Sequence, residues 1–262
     1  MLNTSIFLIN SPLEQFEVVS FIGVNAPILG YLNLSLTNLG FYSAVVLVLS
    51  LGLHFLALSP LGNNKKVIPN KWSISLESSY ASIHGMVKDQ IGTSNEIYLP
   101  FIYSLFFFII FANLNGNIPY GYTLTTSMIV SIGLSFTIFV GVTIVAFEKH
   151  GIHFFAFFVP SGTPLGLVPL LVLIELISYL ARAFSLGIRL FANMVAGHTL
   201  LKILSGFLWG MFTSSLLIFV VTLIPFSIFI ALIGLEVAVS VIQAYVFTIL
   251  TCSYIKDAVE LH

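Results

Sequence analysis

The sequence predicts an all-α polytopic membrane protein with about five membrane helices and one interfacial amphipathic helix, the last two membrane helices being long. Composition is the first observation: 58% of the 262 residues are hydrophobic, only 7% are charged, and the mean hydropathy is +1.07. Soluble domains carry roughly 25% charged residues, so a soluble fold is excluded. The second observation is a series of apolar runs of about 20 residues or more, the length that crosses a bilayer.

Composition also excludes several classes of function. A formal net charge of −1 gives no electrostatic basis for binding nucleic acid. The single cysteine, Cys252, excludes an intramolecular disulfide and a cysteine-based metal cluster, and we interpret it as a buried apolar residue. The sequence has no phosphate-binding glycine-rich loop, so we expect no nucleotide, no other cofactor and no metal.

The chain begins with a mixed segment. Residues 1–10 contain no Lys or Arg, so they resemble neither a signal peptide nor a transit peptide, and we expect insertion where the chain is made. Residues 11–37 contain Pro12, Pro27 and two acids, which predicts a short surface helix followed by a loop.

The first membrane span is predicted over residues 38–59, and Pro60 ends it. Lys65, Lys66 and Lys71 follow directly. By the positive-inside rule this loop faces the compartment of synthesis, which puts the N-terminus on the opposite side of the membrane.

Three more elements follow in the middle of the chain. Residues 73–93 place apolar side chains at helical spacing beside a polar face, which predicts an amphipathic helix lying on the membrane surface. Residues 97–114 and 123–147 are the second and third predicted spans. A loop rich in proline and glycine then leads to the last hundred residues.

Two exceptionally long helical segments close the chain, over residues 165–205 and 209–258, with a turn expected at 206–210. At 1.5 Å per residue they would extend roughly 60 and 75 Å, whereas a hydrocarbon core is about 30 Å thick. Each segment is therefore either broken into two spans or strongly tilted, and the sequence alone does not choose.

Arg189 is the most informative residue, because it lies in an almost uncharged run. An arginine at the centre of a membrane helix costs about 2.5–3.5 kcal/mol on insertion scales. It cannot relieve this cost by losing its proton, since its pKa is above about 12. A permanent positive charge at membrane depth indicates ion handling.

Other polar residues of the two long segments follow the same helical stripe. Glu175, Arg182 and Arg189 are each seven residues apart, nearly two turns, and Asn193 lies one turn beyond Arg189, whereas His198 faces elsewhere. The second segment carries a similar stripe of Glu236, Gln243 and Asp257. Antiparallel packing would place Gln243 near Arg189, Glu236 near His198, and Asp257 toward Glu175.

This arrangement puts acids near both ends of the helix pair and a fixed cation between them. Glu and His can take up and release protons, whereas Arg cannot and so interrupts any proton path through it. Two proton-accessible half-paths separated by an immovable charge would control a carboxylate that moves past. Ser185 and Gly187, which flank Arg189, favour close approach of an external helix.

Structural interpretations of the same residues stay open at this stage. Glu175 and Arg182 could form a buried ion pair that only fixes packing, His198 could be a helix-packing histidine, and Gln243 could join two helices. Two other classes of protein also compete. A secondary transporter would show inverted repeats, and a membrane scaffold would tolerate replacement of Arg189 by lysine.

Four motifs resemble subunit a of the rotary F-type ATP synthases. Residues 185–198, SLGIRLFANMVAGH, resemble the signature of that family, and residues 243–251, QAYVFTILT, match its second motif. The ending at 254–262, YIKDAVELH, is similar to the mitochondrial branch and closely to its fungal members. Residues 11–17, SPLEQFE, resemble the mature N-terminus of fungal members, which marks 1–10 as a candidate leader and 11–262 as a single membrane domain.

The resemblance implies a role for each polar residue. It implies that the last two helices form a tilted hairpin against a ring of c subunits and that Arg189 faces the carboxylate of each passing c subunit. Glu236 and His198 would line the half-channel from the intermembrane space, and Glu175 and Asp257 the matrix half-channel. Polar support would come from residues near these groups: Asn193, Gln243 and Arg182, the last without a counterpart in many bacterial members.

The resemblance also implies a location and partners. The chain would be a multi-pass protein of the mitochondrial inner membrane and a proton-conducting stator subunit, with no catalytic site of its own. Its partners would be the c-ring, the peripheral stalk and other membrane subunits of ATP synthase, together with the lipid bilayer. A dimer of the whole complex is a further candidate assembly, and proton specificity rests on the resemblance.

Overall fold

The computed structural model describes residues 11, 13–25, 33–58, 71–118, 121–159, 166–214 and 216–259. Within these ranges the chain forms one two-stranded hairpin and six α-helices, five of which are long and apolar enough to cross a membrane. The predicted all-α polytopic class is thereby confirmed. The candidate leader, residues 1–10, lies outside the described residues.

The helices follow one another along the chain with short connections. Their bounds are α1 Asn38–Leu58, α2 Lys71–Ile91, α3 Leu99–Gly116, α4 Met128–His150, α5 Val168–Phe212 and α6 Leu216–Val259. The third predicted span differs most at its start, because residues 124–126 form a separate 3₁₀ turn before α4. All of the helices except α2 are long and apolar enough to cross a membrane, and we call them the membrane-length helices.

The N-terminal segment differs from the predicted surface helix and loop. Only one 3₁₀ turn, Glu14–Phe16, precedes an antiparallel hairpin of β1 (Ser20–Asn25) and β2 (Asn33–Thr37). Asn38 joins this hairpin to α1: its side-chain amide donates to the Glu17 carbonyl at 2.9 Å, and its Oδ1 accepts from Leu39 N–H at 2.8 Å. The alternation of Leu34 and Leu36 with polar residues was the available sign of a strand.

Helix α2 is not one of the membrane-length helices, and it packs against α1, α3 and α6. Its buried side chains, Ile83, Met86, Val87 and Ile91, belong to the same apolar core as residues of α3 and α6. Trp72 and Tyr80 lie on its exposed face. An apolar inner face and an aromatic outer face fit a helix held at a membrane surface.

Helices α5 and α6 are each continuous, at 45 and 44 residues. At 1.5 Å per residue they are each about twice the thickness of a hydrocarbon core, so tilting replaces the alternative of two broken spans. The turn between them begins after Phe212, and the expected turn at 206–210 is wrong because those residues continue α5. Pro225 lies inside α6, where it removes one backbone hydrogen bond.

Close packing of α4 against α5 depends on Gly187. A Cβ atom at this position would lie 2.9 Å from both the Ile132 Cα and the Ser131 carbonyl oxygen. Gly187 is buried, so it serves contact within the chain and the expectation that it favours an external helix is wrong. Ser185, by contrast, is exposed.

Candidate functional site

His198 and Glu236 form the first polar cluster, between α5 and α6. The His198 Nδ1 lies 3.0 Å from the Glu236 Oε1, and the two side chains are only 14% and 10% exposed. The two atoms are close, but the buried Glu236 Oε1 has no hydrogen-bond partner among the described residues. The predicted proximity of these two residues is confirmed, and the structure adds a third member. The Thr123 hydroxyl oxygen lies 2.9 Å from the His198 Nε2.

The residue next to His198 makes room for the acid. A Cβ atom at Gly197 would lie 2.9 Å from the Glu236 Oε1, so only glycine lets the carboxyl group come this close to α5. On α6, Ser240 lies one turn beyond Glu236 and donates its hydroxyl to the Glu236 carbonyl at 2.9 Å. The position of the carboxyl group is therefore limited by the backbone of α5 at Gly197.

A cavity of about 860 Å³ adjoins this cluster. Its walls come from the N-terminal 3₁₀ turn, α1, the end of α3, α5 and α6, and they include Phe16, Tyr42, Asn117, Tyr122, His198, Lys202 and Glu236. Burial raises the pKa of Tyr122 above its ordinary value, so this phenol stays neutral. A cavity this large with several polar groups has room for many water molecules.

Several amide and hydroxyl groups tie α3 to α6 beneath the cavity. The Asn113 side chain donates to the Ser240 carbonyl at 3.1 Å and accepts from the Thr125 hydroxyl at 2.9 Å. Asn117 donates to the Ser240 hydroxyl at 3.0 Å. Because buried amides are costly without partners, this network fixes the end of α3 against the middle of α6.

Asn193 and Gln243 link the long helices one turn beyond Arg189. The Asn193 amide donates to the Gln243 Oε1 at 2.8 Å, and Gln243 is buried. The sequence predicts Gln243 near Arg189. In the structure the direct partner of Gln243 is Asn193, which lies one turn from Arg189 on α5. Such a hydrogen bond between membrane helices sets their register.

A second polar cluster lies at the other end of the helix pair, around Arg182. Its Nη1 donates to the Asp257 Oδ2 at 3.0 Å, and its Nη2 lies 4.0 Å from the Glu175 Oε1. Asp257 does approach Glu175 as expected, but Arg182 connects them. All three side chains are about one-third exposed, and Arg182 and Asp257 border a small cavity of about 30 Å³.

Arg189 lies between the two clusters and differs from Arg182. Its side chain is exposed, and within the described part of the chain it has neither a hydrogen bond nor an ion pair. At 1.5 Å per residue it is roughly 10 Å along α5 from Arg182 and roughly 14 Å from His198. An unpaired cation therefore separates the two groups of titratable side chains.

The surface around Arg189 is apolar and made of small residues. Ala181, Ser185, Ala192 and Ala196 are exposed on the same helix, together with larger apolar residues of α6 such as Ile242. Small side chains let another membrane helix approach closely. Among the described residues, no group of three or more His, Cys, Asp or Glu side chains could hold a metal ion.

Comparison with known proteins identifies the family. The model of the family described as ATP synthase A chain matches residues 41–256. The chain is 67% identical to ATP synthase subunit a of Mycosarcoma maydis, over 98% of this chain and 99% of that protein. It is 51% identical to the subunit a of Emericella nidulans, over 96% and 97%, and 46% identical to that of Marchantia polymorpha, over 96% and 99%.

The chain belongs to the ATP synthase A chain family. It is therefore a proton-conducting membrane subunit of ATP synthase, with no catalytic site of its own. The matched region contains the two polar clusters almost entirely, since only Asp257 lies one residue beyond it. The five membrane-length helices agree with a multi-pass membrane protein.

Several polar contributors to this ATP synthase A chain site were missed by sequence reasoning, among them Thr123 and Asn117. Thr123 lies in a connection between α3 and α4, 75 residues from His198, and no periodic pattern includes it. Asn117 is the C-cap of α3, a position where an asparagine is ordinarily interpreted as a helix stop. Only the three-dimensional approach of α3 to α6 brings these side chains to the cavity.

Proposed function

We propose that the chain conducts protons through two offset half-channels, one on each side of Arg189, to and from the carboxylates of a rotating c-ring. The unpaired, exposed Arg189 between two clusters of titratable groups is the observation that carries this proposal. Its family membership supplies the proton-conducting role in ATP synthesis.

The first half-channel opens through the cavity beside Glu236 and His198. It lies at the end of the bundle that holds the N-terminal turn and hairpin. The lysines that follow α1 assign the opposite end to the compartment of synthesis. The cavity then faces the intermembrane space, and protons taken up there reach Glu236 and His198 before a c-ring carboxylate.

The second half-channel leaves through Glu175, Arg182 and Asp257. These side chains are partly exposed at the end of the bundle opposite the cavity, which is the matrix side in this orientation. Arg182 contacts both carboxyl groups, at 3.0 Å to Asp257 and 4.0 Å to Glu175, and so holds the two acids together at this exit.

Arg189 acts as the barrier between the half-channels. It cannot carry a proton and it stabilises the ionised form of a passing carboxylate, so a proton cannot cross directly from one cluster to the other. A neutralised carboxylate can turn into lipid, whereas an ionised one cannot without a large cost. Each charge moved across the membrane is worth about 2.3 kcal/mol per 100 mV, which drives rotation.

The small exposed residues beside Arg189 support the position of the c-ring. A c subunit helix could pack directly on Ser185, Ala192 and Ala196 and bring its carboxylate to the arginine. Asn193 and Gln243 would hold the register of α5 and α6 at that contact.

The location and remaining partners complete the proposal. The relatives of fungal and plant origin are named subunit a of ATP synthase, which supports the mitochondrial inner membrane as the location. There the chain would contact the peripheral stalk and other membrane subunits, and whole complexes would associate as dimers. The exposed apolar faces of α1 and α4 provide area for these neighbours and for lipid.

The proposal is tested on membranes that carry the complex with Arg189→Ala. We expect ATP-driven proton pumping to be lost while the complex stays assembled, and passive proton leak to increase. Arg189→Lys should also lose pumping, because lysine lacks the planar donor fork. Ser78→Ala, at an exposed position on α2 apart from both polar clusters, is the control and should pump normally. Normal pumping by Arg189→Ala in an intact complex would refute the proposal.

A further inference from the structure

Thr123 is the second partner of the His198 ring, opposite Glu236. Its hydroxyl lies 2.9 Å from Nε2, while Glu236 lies 3.0 Å from Nδ1. Thr123 is buried, and it borders the same cavity as His198. The Thr123 hydroxyl and the Glu236 carboxyl group thus lie beside opposite nitrogens of the imidazole, on two different elements of the fold.

The connection between α3 and α4 places the Thr123 side chain with little freedom. The Thr123 carbonyl accepts the Thr126 hydroxyl at 2.7 Å and the Thr126 N–H at 3.3 Å. A Cβ atom at Gly116 would lie 2.6 Å from the Thr123 Cβ, so the side chain packs directly on this glycine. A Cβ atom at Gly121 would lie 2.6 Å from the Asn115 carbonyl oxygen, so this glycine also packs closely against backbone.

A threonine hydroxyl suits a ring that changes its protonation. Neutral imidazole has one N–H donor and one acceptor nitrogen, and the cation has two donors. The hydroxyl can donate to Nε2 when this nitrogen is unprotonated and can accept from it when it is protonated. It therefore remains a partner through the whole cycle, and Nδ1 stays directed at Glu236.

We propose that Thr123 is a positioning residue for proton uptake: seated on Gly116, its hydroxyl keeps His198 oriented toward Glu236 in both the neutral and the cationic form. This inference rests on the proposed function of His198 and Glu236. The other titratable side chains that line the cavity around the ring are Lys202 on α5, Tyr42 on α1 and Tyr122.

The test compares Thr123→Val with Thr123→Ser in the whole complex, reconstituted in liposomes. ATP synthesis is measured at a fixed total proton-motive force while the pH on the cavity side is varied. Valine fills the same space without a hydroxyl. Its effect should be larger on the cationic form of His198 than on the neutral form, because the hydrogen bond of the cation is charge-assisted. We expect the pH profile of Thr123→Val to move about one unit to lower pH, with an unchanged amount of assembled complex. Thr123→Ser should keep the original profile.

Two further variants separate positioning from packing. Gly116→Ala should move the profile in the same direction, because the added methyl group displaces Thr123. Thr125→Val is the matched control: it removes a buried hydroxyl from the same connection, but this hydroxyl binds Asn113 and does not touch His198. It should leave the pH profile unchanged, whatever it does to the amount of complex.

The outcomes distinguish this inference from the proposed function. An identical pH profile for Thr123→Val and the unmodified chain would overturn the positioning role, even if Arg189→Ala had lost pumping as expected. Equal shifts for Thr123→Ser and Thr123→Val would also overturn it, because the hydroxyl would then be irrelevant. Normal pumping by Arg189→Ala would instead remove the proposed function on which the inference rests.

Discussion

Arg182 and Arg189 lie nearly two turns apart on α5, yet only Arg182 has carboxylate partners within the described part of the chain. Its guanidinium contacts Asp257 at 3.0 Å and Glu175 at 4.0 Å. Arg189 projects from the helix pair without such a partner. Since an unpaired arginine at membrane depth is costly, this difference supports the proposal that Arg189 meets a carboxylate from outside the chain.

Arg182 supplies the first prediction. Arg182→Gln removes the cation that contacts both Glu175 and Asp257, so two partly buried carboxyl groups then lie close together without a partner. We expect ATP synthesis to fall about tenfold in an assembled complex, and Asp257→Asn in the same chain to restore part of the loss. The measurement is a double-mutant cycle on the rate of ATP synthesis.

The same cycle tests the alternative that this ion pair only fixes packing. Arg182→Met keeps the apolar length of the side chain and removes its charge, so it is the matched variant for packing. If Arg182→Met synthesises ATP as fast as the unmodified chain, Arg182 has no electrostatic role in proton release.

The second prediction concerns Glu236 and Gly197, the glycine of α5 that lies against the Glu236 carboxyl group. Glu236→Gln should reduce proton pumping by at least about tenfold, because the amide cannot take up and release a proton. Gly197→Ala keeps the acid but adds a methyl group 2.9 Å from its Oε1, so it should cause an intermediate loss. Pumping by inverted membrane vesicles measures both effects.

Gly206→Ala is the matched control for this pair of variants. It is also a glycine of α5, but a Cβ atom there would have nothing within 4 Å. It should therefore pump normally, and an equal loss in Gly197→Ala and Gly206→Ala would show that the carboxyl group of Glu236 is not the cause.

Asn193 and Gln243 supply the third prediction. Asn193→Ala breaks the 2.8 Å hydrogen bond and leaves the buried Gln243 amide without this partner, which costs about 1–3 kcal/mol. The register of α5 and α6 beside Arg189 should loosen, and proton leak should rise together with a lower pumping rate. The exchange Asn193→Gln with Gln243→Asn keeps both amides and should recover more pumping than either single change. If Asn193→Ala, the two single exchanges and the double exchange all pump as fast as the unmodified chain, this contact has no role.

Much of the helical architecture follows from the apolar runs, because membrane helices must satisfy their backbone internally. The approach of His198 to Glu236 could also be predicted, since few polar residues on α5 and α6 are available to pair. The direct link between Arg182 and Asp257 could not, because seven-residue spacing gave Glu175 and Arg182 the same stripe without choosing a partner. The sequence predicts the turn too early, at 206–210, whereas these residues continue α5.

The parts missed by sequence reasoning are those without periodicity. The β1–β2 hairpin is short, and it lies in the segment for which the sequence predicts a short helix and a loop. Thr123 reaches His198 only because α3, the connection after it and α5 meet at one point. Contacts of this kind depend on the tertiary packing of distant segments, which no local pattern of residues specifies.

Gly187 supplies the last prediction, which concerns stability. Gly187→Ala would press a methyl group to 2.9 Å from the backbone of α4 at Ser131 and Ile132, and a backbone cannot move aside as a flexible side chain can. Overpacking of this kind costs about 1–3 kcal/mol. We expect less assembled complex and a lower midpoint of thermal inactivation in detergent. Gly210→Ala, on the same helix with open space around it, should assemble fully. Full assembly and an unchanged midpoint for Gly187→Ala would mean that α4 and α5 approach less closely than described, and that the spacing of the helices behind Arg189 does not depend on this glycine.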